Sequence, residues 1–96
     1  MLLLATYQLS RNITPSKLAK ASTELLQSGK FPIEGVEIIQ WLVCPGGSGI
    51  MIYKADDEIA AAKGFMVWAE ALPGFFERYE VMPAIEAQDI IAMALE

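Results

Sequence analysis

The only cysteine of the chain lies in Cys44-Pro45-Gly46-Gly47-Ser48-Gly49, beside a serine and three glycines. These are the residue types of nucleophile elbows and phosphate-binding loops. Neither chemistry is complete here. The elbow G-x-S-x-G fails because Ile50 stands where its last glycine belongs, and there is no histidine in the 96 residues to activate Ser48 or Cys44. No cation or helix start near Cys44 is available to lower its thiol pKa. A phosphate loop runs into a helix N-terminus with a lysine and a hydroxyl behind its glycines. These glycines run instead into Ile50-Met51-Ile52-Tyr53-Lys54, which reads as a strand. The fixed φ of Pro45 and the freedom of the glycines therefore predict a tight reversal between two strands.

Other residues offer more scope. Thr6 and Gln8 share one face of a first strand, and Arg78 and Glu80 share one face of a last strand. If the two strands are neighbours, the four side chains cluster. Arg78 then suits a carboxylate or enolate and Glu80 suits a base, or the two form an ion pair at an edge or rim. Trp41 and Trp68 are large and amphipathic, fit to wall a pocket for an aromatic or quinone-like molecule or to fill core and interface. These six residues are the candidate pocket. No catalytic residue is assigned. Asp56-Asp57-Glu58 is the one dense acidic group, and its position favours helix capping over metal binding. Met51, Met66, Met82 and Met93 lack copper-type spacing and read as core filler.

The elements that must position these residues follow from periodicity. Leu2 to Leu9 is an apolar strand, broken by Arg11-Asn12. Thr14 caps a helix with Pro15 at its first position, and Leu18, Ala21, Ser22, Leu25 and Leu26 recur on one face until Gly29. Val36 to Cys44 and Ile50 to Lys54 are strands joined by the glycine-rich reversal into a hairpin. Asp56 or Asp57 caps a second helix in which Ile59, Ala62, Phe65, Met66, Ala69 and Leu72 form the arc expected to meet a sheet. Trp68 lies at the shoulder of that arc, and Val67, outside it, suggests contact with another subunit. Phe75 to Ile85 is a strand with Tyr79, Val81, Pro83 and Ile85 on one face, and its proline marks it as an edge. A closing helix carries Ile90, Ile91, Ala94 and Leu95.

The order β-α-β-β-α-β plus a C-terminal helix predicts an α+β, ferredoxin-like fold. Its antiparallel sheet has four strands in the order 4-1-3-2, with both main helices on one face. The other face is left bare. Hydrophobic residues make up 54% of the chain against 20% charged, so that face needs a cover, and a second copy packed sheet to sheet supplies one: a homodimer of the dimeric α+β-barrel type. Residues 1–96 read as a single ferredoxin-like domain.

The formal net charge of −5, with the seven basic residues scattered, argues against nucleic acid and anionic membrane as partners. A lone cysteine, no histidine and no basic leader before the short apolar start point to a cytoplasmic protein without a zinc or copper site and without a cofactor.

Several segments together resemble domain of unknown function family 3303, of small bacterial and cyanobacterial-type proteins. They are the initial "MLLLATY", the centre from Pro32 and Gly35 through Trp41, the hairpin glycines, Asp56-Asp57 and Trp68, and Glu80-Val81-Met82-Pro83 near the end. The resemblance implies a ferredoxin-like, dimeric α+β-barrel-type fold and no particular activity. The wider dimeric-barrel group includes cofactor-independent monooxygenases, haem-linked enzymes and stress-induced proteins. Two functions stay open: a non-catalytic dimerising domain that binds a small apolar ligand or a protein partner, and a cofactor-independent oxygenase or isomerase with its pocket on the sheet face away from the helices.

Overall fold

Leu3, Ala5, Tyr7 and Leu9 are buried while Leu2, Leu4, Thr6 and Gln8 between them are half-buried. This alternation defines strand β1 (Leu2–Leu9) in the computed structural model, which describes residues 1–96. Helix α1 (Pro15–Gln27) begins where the Thr14 hydroxyl accepts from the Lys17 N–H at 3.2 Å. It ends at Ser28, followed by Gly29 at φ 74°. Strands β2 (Val36–Val43) and β3 (Ser48–Ala55) form the expected hairpin. Helix α2 (Glu58–Ala71) starts at Asp57, whose carboxylate accepts from the Ala60 N–H at 2.8 Å. Strand β4 (Phe76–Pro83) and helix α3 (Ala87–Ala94) complete the chain.

The strand order is β2-β3-β1-β4 and all three pairings are antiparallel. This is the predicted 4-1-3-2 read from the other edge, and it puts the proline-bearing β4 at a margin, where a missing N–H costs no ladder bond. Pairing fixes the faces. Tyr7 lies opposite Gly49 and Tyr79, and Thr6 opposite Ile50 and Glu80. The face carrying Tyr7 packs with Ala21 and Leu25 of α1 and Ala60 and Trp68 of α2, in two adjoining apolar clusters. Nothing covers the opposite face. The molecule is accordingly thin, 51 × 28 × 16 Å, and α3 buries none of its residues.

The hairpin turn explains the opening motif. The Gly47 N–H donates to the Cys44 carbonyl at 3.0 Å, and Gly46 between them has φ 101°. Proline second and a positive-φ glycine third is the pattern of a type II turn. The Cys44 N–H then donates to the Ser48 carbonyl at 2.7 Å and closes the ladder.

Two local expectations change. Alternation along β2 breaks between Ile38 and Gln40, where the register with β3 shifts. One extra residue reverses the parity of the strand, so Val36 and Ile38 before it and Trp41 and Val43 after it all face the helices, while Ile39 is left exposed. The second correction concerns α2. The face that meets the sheet is Ala60, Ala61, Gly64, Val67 and Trp68, whereas Ile59 and Met66 of the expected arc are 67% and 63% exposed. The helix is apolar on nearly every side, so its arc does not decide its orientation. Burial of the large Trp68 does, and small residues on the same stripe let the helix approach the sheet. Val67 lies within this packed stripe rather than at an outer contact. On α1, Leu26 likewise turns to solvent while Ala21 and Leu25 are buried.

Candidate ligand-binding cavity

The helix-facing side of the sheet is unusually aromatic. On one flank Trp68 stacks on Phe75 at 5.2 Å between ring centres and meets Phe31 and Trp41 edge to face at 5.3 and 5.7 Å. On the other flank Phe65, Phe76 and Tyr79 lie within 5.4 Å of one another. Tyr7 connects the flanks: its ring meets Phe76 edge to face at 5.9 Å, and its hydroxyl accepts from the Trp41 indole N–H at 2.9 Å. The same hydroxyl donates to the Leu42 carbonyl at 2.9 Å. Tyr7 can lie across the sheet in this way because Gly49 is opposite it. A Cβ on Gly49 would collide with the Tyr7 phenol and the Leu42 carbonyl. The last glycine of the opening motif is thus the floor on which this tyrosine rests.

These rings do not fill the space between the layers. A cavity of about 250 Å³ remains, lined by residues of α1, α2 and all four strands, among them Trp41, Trp68, Tyr7, Tyr53, Phe65 and Tyr79. No charged side chain lines it. Its polar groups are few and mostly committed: Ser22 donates to the Leu18 carbonyl at 2.8 Å, and Tyr7 is bonded twice. The phenols of Tyr53 and Tyr79 are the exceptions, and that of Tyr53 is fully buried without a hydrogen-bond partner. Burial raises the pKa of all three tyrosines above the ordinary phenol value. The Trp41 N–H opposes the effect at Tyr7, and the Tyr79 hydroxyl opposes it at Tyr53. Tyr79 is raised furthest, by burial first and then by a neighbouring Tyr53 phenolate that would repel its own. Tyr53 and Tyr79 therefore titrate as close neighbours, and the cavity is neutral at physiological pH.

A family model described as Domain of unknown function (DUF3303) matches residues 1–96. The chain belongs to the DUF3303 family. Among solved structures, protein Atu4242 from Agrobacterium tumefaciens is similar, with a TM-score of 0.54 and 13% identity over 90% of this chain and 94% of that one. An uncharacterized NIPSNAP domain protein from Burkholderia xenovorans matches with a TM-score of 0.53 and 17% identity, covering 91% of this chain and 95% of that one. Rv0793 from Mycobacterium tuberculosis follows at 0.50 and 14%, over 90% and 96%. At these identities the likeness concerns the fold. No curated protein matches the chain.

The six residues expected to share a pocket in this DUF3303 chain divide between the two faces of the sheet. Trp41 and Trp68 line the cavity. Thr6 and Gln8 do lie opposite Glu80 and Arg78 on adjacent strands, as expected, but on the uncovered face. There the Gln8 amide is already engaged, donating to the Gly46 carbonyl at 2.9 Å and so bracing the hairpin turn. Arg78 and Glu80 are exposed. The cavity is on the opposite side of the sheet from the face expected to carry a pocket. Tyr7, Tyr53, Phe65 and Tyr79 were not singled out from sequence as site residues. A signal for Tyr7 existed: it shares the phase of Leu3, Ala5 and Leu9, so alternation alone puts it on the core side.

Proposed function

We propose that this chain is a small non-catalytic dimerising domain that holds a small apolar ligand between its helices and its sheet. The observation that carries the reading is the neutral aromatic cavity. A space of that size, walled by tryptophan, tyrosine and phenylalanine and free of charge, suits an apolar guest. Arg78 and Glu80, the residues on which an oxygenase or isomerase reading depends, are exposed on the far face, so no observation favours that alternative.

The uncovered face supports the dimer. Leu4, Ile50 and Ile52 lie on its two inner strands, flanked by Leu42 and Met82, with Thr6 and Glu80 level with Ile50 and with Gln8 and Arg78 beyond them toward one end. An apolar centre beside a polar margin is the anatomy of a protein interface, and a second copy is the simplest partner for a sheet face. No helix is long and apolar enough to cross a membrane. We place the protein in the cytoplasm, where the exposed Cys44 thiol would remain reduced.

Gly64 provides the test of the ligand reading. It lines the cavity from α2, and nothing lies within 4 Å of where its Cβ would stand. Gly64→Leu should fill the space and abolish quenching of tryptophan fluorescence by a neutral naphthalene probe that binds the wild type. Equal quenching in both proteins would refute the cavity as the binding site.

A further inference from the structure

Tyr53 differs from every other polar side chain in the molecule. It is 3% exposed, it lines the cavity, and its hydroxyl is buried without a partner. Folded proteins rarely leave such a group unpaired, because a phenol removed from water gives up its hydrogen bonds and gains none in return. Nearby hydroxyls do not relieve it: those of Tyr7 and Ser22 are spent on backbone carbonyls, and that of Tyr79, its closest neighbour among them, leaves it without a hydrogen bond.

We propose that the ligand of this cavity is a small, neutral, flat aromatic molecule with one hydrogen-bond-accepting oxygen, a ketone or quinone carbonyl, to which the Tyr53 hydroxyl donates. The inference rests on the ligand-binding reading above and adds the class of ligand and the residue that orients it. Neutrality follows from the lining, which has no Lys, Arg, Asp or Glu to pair with an ion in an apolar space where an unpaired charge is costly. Flatness follows from the walls. The rings of Trp68, Phe31, Phe65 and Phe76 border the space, and aromatic groups meet best stacked or edge to face. Size follows from the volume of about 250 Å³, suited to one or two fused rings. The accepting oxygen follows from the Tyr53 hydroxyl, the one side-chain polar atom of the molecule that is fully buried without a hydrogen-bond partner. Because burial favours the protonated phenol, Tyr53 is available as a donor, and the matching ligand atom is an acceptor.

Three probes of one shape separate the possibilities: 2-acetonaphthone, 2-ethylnaphthalene and 2-naphthoate, titrated calorimetrically into the wild type and Tyr53→Phe. The ketone should bind the wild type and weaken roughly three- to tenfold in Tyr53→Phe, the loss of one hydrogen bond. The hydrocarbon should bind both proteins alike and so report that the variant keeps its cavity. The carboxylate should not bind. If no probe binds the wild type, the ligand-binding reading itself falls. If ketone and hydrocarbon bind but the variant changes neither, the Tyr53 assignment alone is overturned and water is the better partner for its hydroxyl. Binding of the carboxylate on a par with the ketone would overturn neutrality. Should Tyr53→Phe not fold, the carbonyl stretch of acetonaphthone bound to the wild type decides the matter. A stretch lowered from its position in hydrocarbon solvent supports the hydrogen bond, and an unshifted one refutes it.

Discussion

A hydroxyl with no partner is a cost carried by the empty protein, and Tyr53 shows where that cost lies. Tyr53→Phe removes the oxygen and keeps the ring, so the unliganded protein should gain about 1 kcal/mol of stability. For a domain of this size that raises the thermal midpoint by roughly 4–8 °C. A lowered midpoint in calorimetry would mean that the hydroxyl is bonded after all. The three phenols also predict behaviour at high pH. Each has a folded-state pKa above its unfolded value of about 10. The fold therefore favours the protonated form, and its stability is fully present below pH 10 and lost as pH rises through the raised values. Phenolate absorbance and far-UV circular dichroism should change together above that point. Phenolates appearing near pH 10 with the helices intact would contradict the burial of these side chains. Alternation foretold the burial of Tyr7, but the unpaired hydroxyl of Tyr53 was not legible in sequence, since an orphaned hydroxyl arises only when separate elements converge.

At the level of elements the sequence was most informative where local chemistry is strong. Thr14 caps the helix it was expected to cap, Asp57, of the two candidates Asp56 and Asp57, caps the second, and Pro45-Gly46 makes the expected reversal. The sequence was least informative where several apolar arrangements compete. Nearly every face of α2 can be buried, so choosing Ala60, Gly64 and Trp68 over Ile59 and Met66 required the sheet. The bulge in β2 leaves no mark in the composition of Val36–Val43, yet it brings Trp41 round to the cavity. A helix-interior glycine with open space at its Cβ position makes a further prediction. Gly64→Ala should stabilise the protein by about 0.5–1 kcal/mol through helix propensity, read from urea unfolding. Destabilisation would mean that the glycine is required by close packing that the structure does not have.

The whole molecule is a sheet with one face built and one face open. Strand order and the placement of both helices on one side were legible because the β-α-β-β-α-β order leaves few topologies. The division of the six candidate residues was not. Polar residues at alternate positions drew attention to the open face, while the space suited to a ligand formed among apolar residues that sequence reading assigns to core. On this account the two faces have separate tasks, association on one and binding within the other. Ile52, at the middle of the open face, tests the division: Ile52→Lys should yield a monomer that still binds 2-ethylnaphthalene, and joint loss of both properties in a folded variant would tie them together. The most direct measurement is a native mass spectrum of the purified protein, which counts subunits and retained ligand at once. The account predicts two chains of 10.5 kDa each with a small neutral molecule bound per chain. A spectrum dominated by the bare single chain would contradict it.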